Sequence, residues 1–316
     1  MNCITCNSET RRFGKDRKGN QRFQCLTCKK TFSEPKDKPL GNMTLAMEKV
    51  LLIMRLLVEG NSIRSTERIT GVDKKTILAL LLVVGEKCER LMEEKIQKVS
   101  VKQVQCDEIW GFVGMKEATK KRQGQGDDNH LGDAYCFTGM DKDTKLILAW
   151  HLGRRTVADT VAFTEKLNRA TADNSFEIYT DGFIPYRDAI VLSLGAKKVN
   201  FAQIVKVFGK LQDDDHRYSP PQVIGLEKTA IFGNPDLDNA TTSHIERQNL
   251  TIRMGMRRMT RLTNAFSKKW LNLNAAYALH YAYYNFCRVH STLRVTPMME
   301  AKLTDHVWTL EELLTA

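Results

Sequence analysis

Three carboxylates in this chain stand where a metal site for phosphodiester chemistry could form. Asp107 lies within an apolar run, and Asp181 follows another. Glu246 is the one acidic residue between positions 240 and 299, a stretch that carries nine basic residues. Carboxylate oxygens are the ligands that Mg²⁺ and Mn²⁺ prefer, and two such ions ~3.5–4 Å apart hold a phosphodiester for in-line attack. The three side chains are therefore candidate metal ligands and catalytic residues.

Each of these carboxylates also has a purely structural interpretation. Asp107 is compatible with a solvated strand residue, and Asp181 followed by Gly182 is a common turn pair. Ser243 and Glu246 have the spacing of a capping box, in which the glutamate accepts a hydrogen bond from the amide of the first residue. One helix cap contributes only ~1 kcal/mol, which poorly explains a single acid in so basic a region.

The helix predicted around Glu246 carries further polar and basic residues on the same face. Asn249 and Arg253 follow Glu246 by three and seven positions, so they share its helical face. An acid flanked in this way is typical of a metal ligand beside phosphate contacts. The candidate DNA contacts of this segment are Arg247, Asn249, Arg253, Arg257 and Arg258.

The first 33 residues contain two Cys-x2-Cys pairs, Cys3 with Cys6 and Cys25 with Cys28. This spacing predicts a four-thiolate zinc site, and the metal would supply the folding free energy that so short a segment lacks. Eight basic residues and two acidic ones surround the pairs. The ribbon therefore either contacts nucleic-acid phosphates or serves only to support its neighbour.

The composition narrows the partners without selecting one. The chain has 316 residues with 48 Lys and Arg against 37 Asp and Glu, a net charge of +11. Such an excess favours a polyanion, whether DNA, RNA or an anionic membrane surface. No apolar run approaches the ~20 residues of a membrane-spanning helix. We expect an intracellular protein with reduced thiols.

A linker that contains proline and glycine is predicted at 34–42. The segment after it, residues 43–98, shows helical spacing of apolar residues. Two short helices, with Ser62 and Asp73 as expected caps and a turn at Gly71 between them, indicate a helix-turn-helix. In that arrangement Lys74, Lys75 and Thr76 would point at a DNA groove or its phosphates. An ordinary three-helix bundle with a solvated lysine pair fits the same pattern.

The remainder of the chain predicts three strands, a helix, a strand, a helix, a strand and a later helix. This order is that of a ribonuclease-H-like sheet, in which sites lie at strand ends. Glu108 adjoins Asp107, and neighbouring strand residues point to opposite faces, so we expect Glu108 to lie outside the carboxylate group. An insertion near 200–240 contains the acidic run Asp213–His216. We interpret that run as a solvated loop, although it leaves the third ligand open.

Several motifs together resemble the bacterial insertion-sequence transposases of the insertion-sequence-one type, within the DDE transposase and integrase group. They are CDEIWG (106–111), YTDGF (179–183), HIERQNLTIR (244–253), RRMTRLTNAFSKK (257–269) and YYNFCRVHSTLRVTP (283–297). The resemblance covers nearly the whole chain, since a zinc ribbon and a helix-turn-helix also occur in that family. It implies that Asp107, Asp181 and Glu246 bind Mg²⁺ or Mn²⁺ as the catalytic triad.

The resulting expectation is an α/β protein with a ribonuclease-H-like catalytic domain preceded by two DNA-binding modules. The predicted parts are a zinc ribbon at 1–33, the linker at 34–42, a helix-turn-helix domain at 43–98, the catalytic domain at 99–300 and a helical tail at 301–316. The expected activity is a DNA transposase, a polynucleotidyl transferase that acts on double-stranded DNA at element ends and target. A dimer or larger homo-oligomer is expected, located in the cytoplasm with the nucleoid and away from membranes. The alternatives are a DNA-binding regulator and a nuclease without strand transfer.

Overall fold

The computed structural model describes residues 1–17, 19–33, 40–41, 43–125, 128–209 and 223–316. The chain divides into two compact units, Met1–Asn42 and Met43–Ala316. Each unit is described by itself. Most of the predicted linker at 34–42 lies outside the described residues.

The first unit is a small antiparallel sheet built around the cysteine pairs. Its strands, in the order β1-β2-β3, are β1 (Thr10–Lys15), β2 (Gln21–Cys25) and β3 (Thr31–Ser33). Thr10 pairs with Cys25, and Phe23 pairs with Phe32 across β2 and β3. The two phenylalanine rings, with centroids 6.2 Å apart, are the main apolar contact of a unit too small to bury a larger core.

The second unit begins with three helices, α1 (Met47–Val58), α2 (Ile63–Thr70) and α3 (Lys74–Lys95). Ser62 caps α2 by accepting from the amide of Ser65, and Asp73 caps α3 by accepting from the amide of Lys75. Gly71 between them adopts φ +68°, the left-handed conformation that glycine accepts without a steric cost. The predicted turn and both predicted caps are confirmed.

The rest of the second unit alternates strands and helices and ends in helices. Its elements are β4 (Gln103–Val113), α4 (Glu117–Arg122), β5 (Gly132–Asp141), β6 (Ile147–Gly153), α5 (Val157–Ala170), β7 (Phe176–Thr180), α6 (Tyr186–Leu194), β8 (Val199–Phe208), β9 (Val223–Phe232), α7 (Ser243–Gly255), α8 (Trp270–Ala282), α9 (Pro297–Glu300) and α10 (Leu310–Thr315). A 3₁₀ turn at Arg257–Met259 and a π turn at Tyr283–Cys287 flank α8.

The six strands form one mixed sheet in the order β6-β5-β4-β7-β8-β9. Strands β4, β5 and β6 are antiparallel neighbours, whereas β4, β7 and β8 run parallel. Strand β9 returns antiparallel to β8. A parallel pair needs a crossover connection, and α5 and α6 occupy the segments before β7 and β8.

Helices cover both faces of this sheet. Phe137 of β5 packs against Phe163 of α5, with ring centroids 5.9 Å apart, and lies near Tyr186 of α6. The adjacent Thr138 faces the other way and shares a 2.7 Å hydrogen bond with the hydroxyl of Tyr281 in α8. Tyr281 and the neighbouring Tyr277 of α8 are therefore buried core residues.

Helix α3 crosses α8 at close range. A Cβ atom placed on Gly85 would lie 2.5 Å from both the Cα and the Cβ of Ala275. No side chain fits at that distance, so the backbones of the two helices are in direct contact. The three N-terminal helices and the sheet consequently belong to one compact unit.

The segment near 200–240, predicted to be an insertion with a solvated loop, is largely a strand pair. Strands β8 and β9 contribute ten residues each. The acidic run Asp213–His216 lies outside the described residues. Our prediction ended with a short strand and had no strand after it, because the apolar residues of β9 stand in two runs and do not alternate with polar ones. Within the described residues, no helix has the length and apolarity needed to cross a membrane.

Candidate functional site

The four cysteines of the first unit converge as their spacing predicts. Their sulfur atoms all lie within 4.8 Å of one another, and no two are joined by a disulfide. The Sγ atoms of Cys3 and Cys28 are 3.6 Å apart, and those of Cys6 and Cys25 are 3.4 Å apart. The amides of Thr27 and Cys28 donate to the sulfur of Cys25. Such amide contacts stabilise thiolates, and the cluster could hold a metal ion.

The central strands of the sheet bring two of the predicted carboxylates together. The parallel register of β4 and β7 pairs Gln105 with Tyr179. Continued by two residues, this register places Asp107 level with Asp181, which directly follows β7. Both carboxylates belong to a group whose oxygens lie within 4.8 Å of one another.

Glu108 is the third member of this group, which corrects our prediction that it would lie outside. Neighbouring residues of β4 do alternate between faces, since Asp107 pairs with Thr138 and Glu108 with Phe137, on opposite faces of the sheet. This alternation does not keep the two carboxylates apart, because Asp181 lies at the end of a strand and can be approached from both faces. We call Asp107, Glu108 and Asp181 the carboxylate cluster.

Two members of the carboxylate cluster, Asp107 and Glu108, have raised pKa values. Burial raises the pKa of Asp107 to about 7, and repulsion from Asp181 adds to the rise. Burial also raises the pKa of Glu108 to about 8, again with a contribution from Asp181. The Glu108 side chain is 2% exposed, and its interaction with the Tyr186 hydroxyl lowers its pKa against the effect of burial. Repulsion between carboxylates held this close is costly, and a bound cation would relieve it.

Helix α7 is docked onto β4 beside the cluster. The side-chain oxygen of Gln105 accepts from the amides of His244 and Ile245, at 3.1 and 3.2 Å, in the first turn of α7. One to two turns later, the amide group of Asn249 donates to Oδ2 of Asp107 at 2.7 Å. Asn249 therefore orients a cluster carboxylate, and its predicted contact with DNA stays a prediction.

Glu246 lies on α7 between these two contacts. Its charge raises the pKa of Asp107, so it is close to the carboxylate cluster, although its oxygens are not part of the 4.8 Å group. Its carboxylate accepts from the Thr242 hydroxyl at 2.8 Å and pairs with the ammonium of Lys206 on β8. The capping box with Ser243 is not formed, because Thr242 occupies the N-cap position and no side chain caps the helix.

Arg155 holds two members of the cluster from the opposite side. Its Nη2 lies 3.3 Å from Oε2 of Glu108 and 3.6 Å from Oδ2 of Asp181. The other oxygen of Asp181 accepts from the amide of Phe183 at 3.0 Å, and the Gln203 side chain donates to the Asp181 carbonyl. The turn interpretation of Asp181 is thus correct, and it leaves one carboxylate oxygen directed at the cluster.

Two of the predicted phosphate contacts are used inside the protein. Arg253 donates to the carbonyls of Met259 and Trp110, at 3.0 and 3.2 Å. Arg258 donates to the Ser267 hydroxyl and the Asn272 carbonyl, and burial lowers its pKa to about 10. Both guanidinium groups therefore bond to other groups of the protein in this structure, and their contact with phosphate stays a prediction. The remaining candidates are at the surface, with Thr76 partly covered: Arg247, Arg257, Lys74, Lys75 and Thr76.

Sequence reasoning missed three charged residues of the site: Glu108, Arg155 and Lys206. The pair Asp107-Glu108 inside an apolar run was a signal for the first. Arg155 and Lys206 lie in segments with no distinguishing pattern, and only the fold shows that each faces a carboxylate.

Comparison with known proteins adds little to this geometry. No protein-family model matches the chain, and no curated protein matches it. Among solved structures, Endonuclease V from Bacillus subtilis is similar at 13% identity and a TM-score of 0.23, over 64% of this chain and 88% of that chain. A likeness this weak carries no conclusion. The function must be inferred from the site itself.

Proposed function

We propose that this protein is a DNA transposase of the DDE type. The observation that carries the proposal is the meeting of Asp107 and Asp181 on the adjacent strands β4 and β7, with α7 bringing Glu246 beside them. Carboxylates from two neighbouring strands and a crossing helix form the oxygen-rich site that phosphoryl transfer by divalent cations requires.

The strand arrangement supports a ribonuclease-H-like catalytic domain. Three antiparallel strands followed by two parallel ones, in the order β6-β5-β4-β7-β8, match the order expected from the sequence. Helix α7 packs across β4 at the carboxylates. Strand β9 is an addition at the open edge.

The two metal sites differ in their ligands. The sulfur spacings of 3.4 and 3.6 Å are close to the ~3.8 Å edge of a tetrahedron with Zn–S bonds of ~2.3 Å. The cysteine cluster thus fits Zn²⁺. The carboxylate cluster with Glu246 fits Mg²⁺ or Mn²⁺, which would activate the attacking oxygen and stabilise the leaving one.

The side chains of the site have separate roles in the proposed reaction. Asp107, Asp181 and Glu246 would hold the metal ions, and Asn249 fixes the orientation of Asp107. Water attacks the phosphodiester at an element end, the P–O bond to the 3′ oxygen breaks, and a 3′-hydroxyl is released. That hydroxyl next attacks a target phosphodiester and displaces its 3′ oxygen. Since two ends must be joined, the proposal includes a dimer or larger assembly.

The proposal is tested with DNA selected from a random pool by the protein. A labelled duplex of the selected sequence is incubated with the protein, Mg²⁺ and a target plasmid. We expect cleavage and a joined product, both lost in Asp107→Asn, Asp181→Asn and Glu246→Gln with DNA affinity retained. The exposed Asp173→Asn serves as the matched control.

Two outcomes would contradict parts of this proposal. Cleavage without a joined product indicates a nuclease on the same fold rather than a transposase. Undiminished cleavage by any one of the three variants removes that residue from the catalytic set.

A further inference from the structure

A cavity of about 740 Å³ lies in the second unit, between the N-terminal helices and the segment that follows α7. One wall comes from α1, α2 and α3, and the other from residues 255–280. The carboxylate cluster does not line it. Its volume is typical of sites for a nucleotide-sized ligand, and it is far too small for a double helix.

The lining of this cavity is cationic, with no acidic residue among the residues that form it. Arg64, Lys74, Arg257 and Lys268 are all exposed at its margin. Within the described parts of the chain, none of the four forms a salt bridge. Such a concentration of unneutralised cations attracts an anion, and it continues the depletion of acids that the sequence shows after Glu246.

The interior of the cavity is suited to a heteroaromatic group. Leu57, Leu78, Met256 and Phe266 supply apolar surface. His280 is 6% exposed, lines the cavity, and its Nε2 has no hydrogen-bond partner among the described residues. Apolar walls beside a polar group without a partner fit a nucleobase, which presents flat apolar faces and a hydrogen-bonding edge.

The position of the cavity connects the two regions expected to contact DNA. Lys74 is the first residue of α3, the helix predicted to enter a DNA groove. Arg257 directly follows Met256 at the end of α7, the helix that carries Glu246. The cavity therefore adjoins both of the elements that are expected to contact DNA.

We propose that this cavity binds an unpaired nucleotide of a DNA strand, with the base between the apolar walls and its phosphates on the marginal cations. The proposal rests on the proposed function only in taking DNA as the partner. It does not require the carboxylates or their metal ions.

The test compares the affinity of the full-length protein for single-stranded and double-stranded DNA. The probes are a fluorescent oligonucleotide of about eight deoxyadenosines and a blunt duplex, both titrated by anisotropy without divalent cations. Leu78→Trp fills the cavity, and Leu82→Trp places the same side chain at an exposed site of the same helix. Thermal unfolding establishes that each variant is folded.

We expect Leu78→Trp to weaken single-strand binding about tenfold or more, as the loss of one stacked base would, while duplex binding and Leu82→Trp are unaffected. Unchanged single-strand affinity in folded Leu78→Trp, or an equal loss for both probes, would overturn the proposal. If Leu78→Trp does not fold, Arg64→Glu replaces it with the same criteria. The binding is measured without divalent cations and without cleavage, so a failure of the catalytic assignment remains distinguishable.

Discussion

The cysteine cluster and the carboxylate cluster are both groups of metal-ligating side chains, but they are assembled differently. Cys3 and Cys28 are 25 positions apart and are joined by short turns and three small strands. Asp107 and its partner Asn249 are 142 positions apart and meet only when the sheet and α7 are complete. Local turns determine the first site, whereas the whole second unit determines the second.

This difference predicts that folding requires metal binding in the first unit and precedes it in the second. The first unit has little core, so its fold depends on the bound ion. The second unit has an extensive core on both sheet faces, so it folds first and then offers a preformed site. Experiments can separate metal-dependent folding of the first unit from metal-independent folding of the second.

Loss of the thiolate site should unfold the first unit alone. Structural zinc contributes ~10–16 kcal/mol of apparent free energy in small zinc domains, far more than the sheet β1-β2-β3 can replace. We expect Cys25→Ser to abolish zinc binding and amide protection in residues 10–33, with protection in β4 unchanged. Hydrogen exchange read by mass spectrometry, with Cys287→Ser as the control, measures both. Protected amides in a zinc-free first unit would show that the two sites do not differ in this way.

Loss of Glu108 should impair the second site without unfolding its unit. Glu108→Gln removes one carboxylate ligand from the carboxylate cluster, and we expect cleavage and Mn²⁺ affinity to fall about 10- to 100-fold. The melting temperature near pH 7 should change little, because burial raises the pKa of Glu108 to about 8 and the amide then replaces a largely protonated carboxyl group. The exposed Glu165→Gln is the matched control. Wild-type Mn²⁺ affinity in Glu108→Gln would exclude this residue from the site.

The packing of α3 on α8 should govern the stability of the second unit. Gly→Ala within a helix normally stabilises by about 1 kcal/mol. At Gly85 the added Cβ meets the backbone of Ala275, so we expect a loss of about 1–3 kcal/mol instead. Urea unfolding of Gly85→Ala, with the exposed Glu86→Ala as the control, measures the change in the free energy of unfolding and its sign. A stabilised Gly85→Ala would mean that the helices are not in contact.

Acid should weaken the second unit through His280. Burial lowers the pKa of this imidazole to about 4, below its usual 6.5, so the unfolded chain binds a proton that the folded one does not. His280 therefore contributes a loss of about 1 kcal/mol from pH 7 to about pH 5.5, against the gain that the raised pKa values of Asp107 and Glu108 give over the same range. Thermal unfolding should show that the stability of the wild type relative to His280→Leu falls by this amount as the pH drops. Exposed His130→Asn should keep the wild-type slope.

Much of the fold could be predicted because its patterns are local. The caps at Ser62 and Asp73 and the strand runs at β4 and β7 depend on neighbouring residues. Strand β9 was missed because its apolar residues do not alternate with polar ones, although most of its side chains are exposed.

The candidate site could be predicted in part. Residue type and position suggested Asp107 and Asp181. Whether an arginine meets phosphate or a backbone carbonyl depends on the final packing, so Arg253 and Arg258 could not be distinguished from Arg247 by sequence. Glu108 was excluded by a rule on strand faces that does not apply where a neighbouring strand ends.

The close crossing at Gly85 has a mechanical consequence. Helix α3 touches α8 backbone to backbone, and α8 is bonded to β5 through Tyr281 and Thr138. The N-terminal helices cannot swivel on a flexible hinge relative to the strands that bear Asp107. If α3 binds a sequence at an element end, the rigid connection sets the distance from that sequence to the bond that is cut. The number of base pairs between them is then constant.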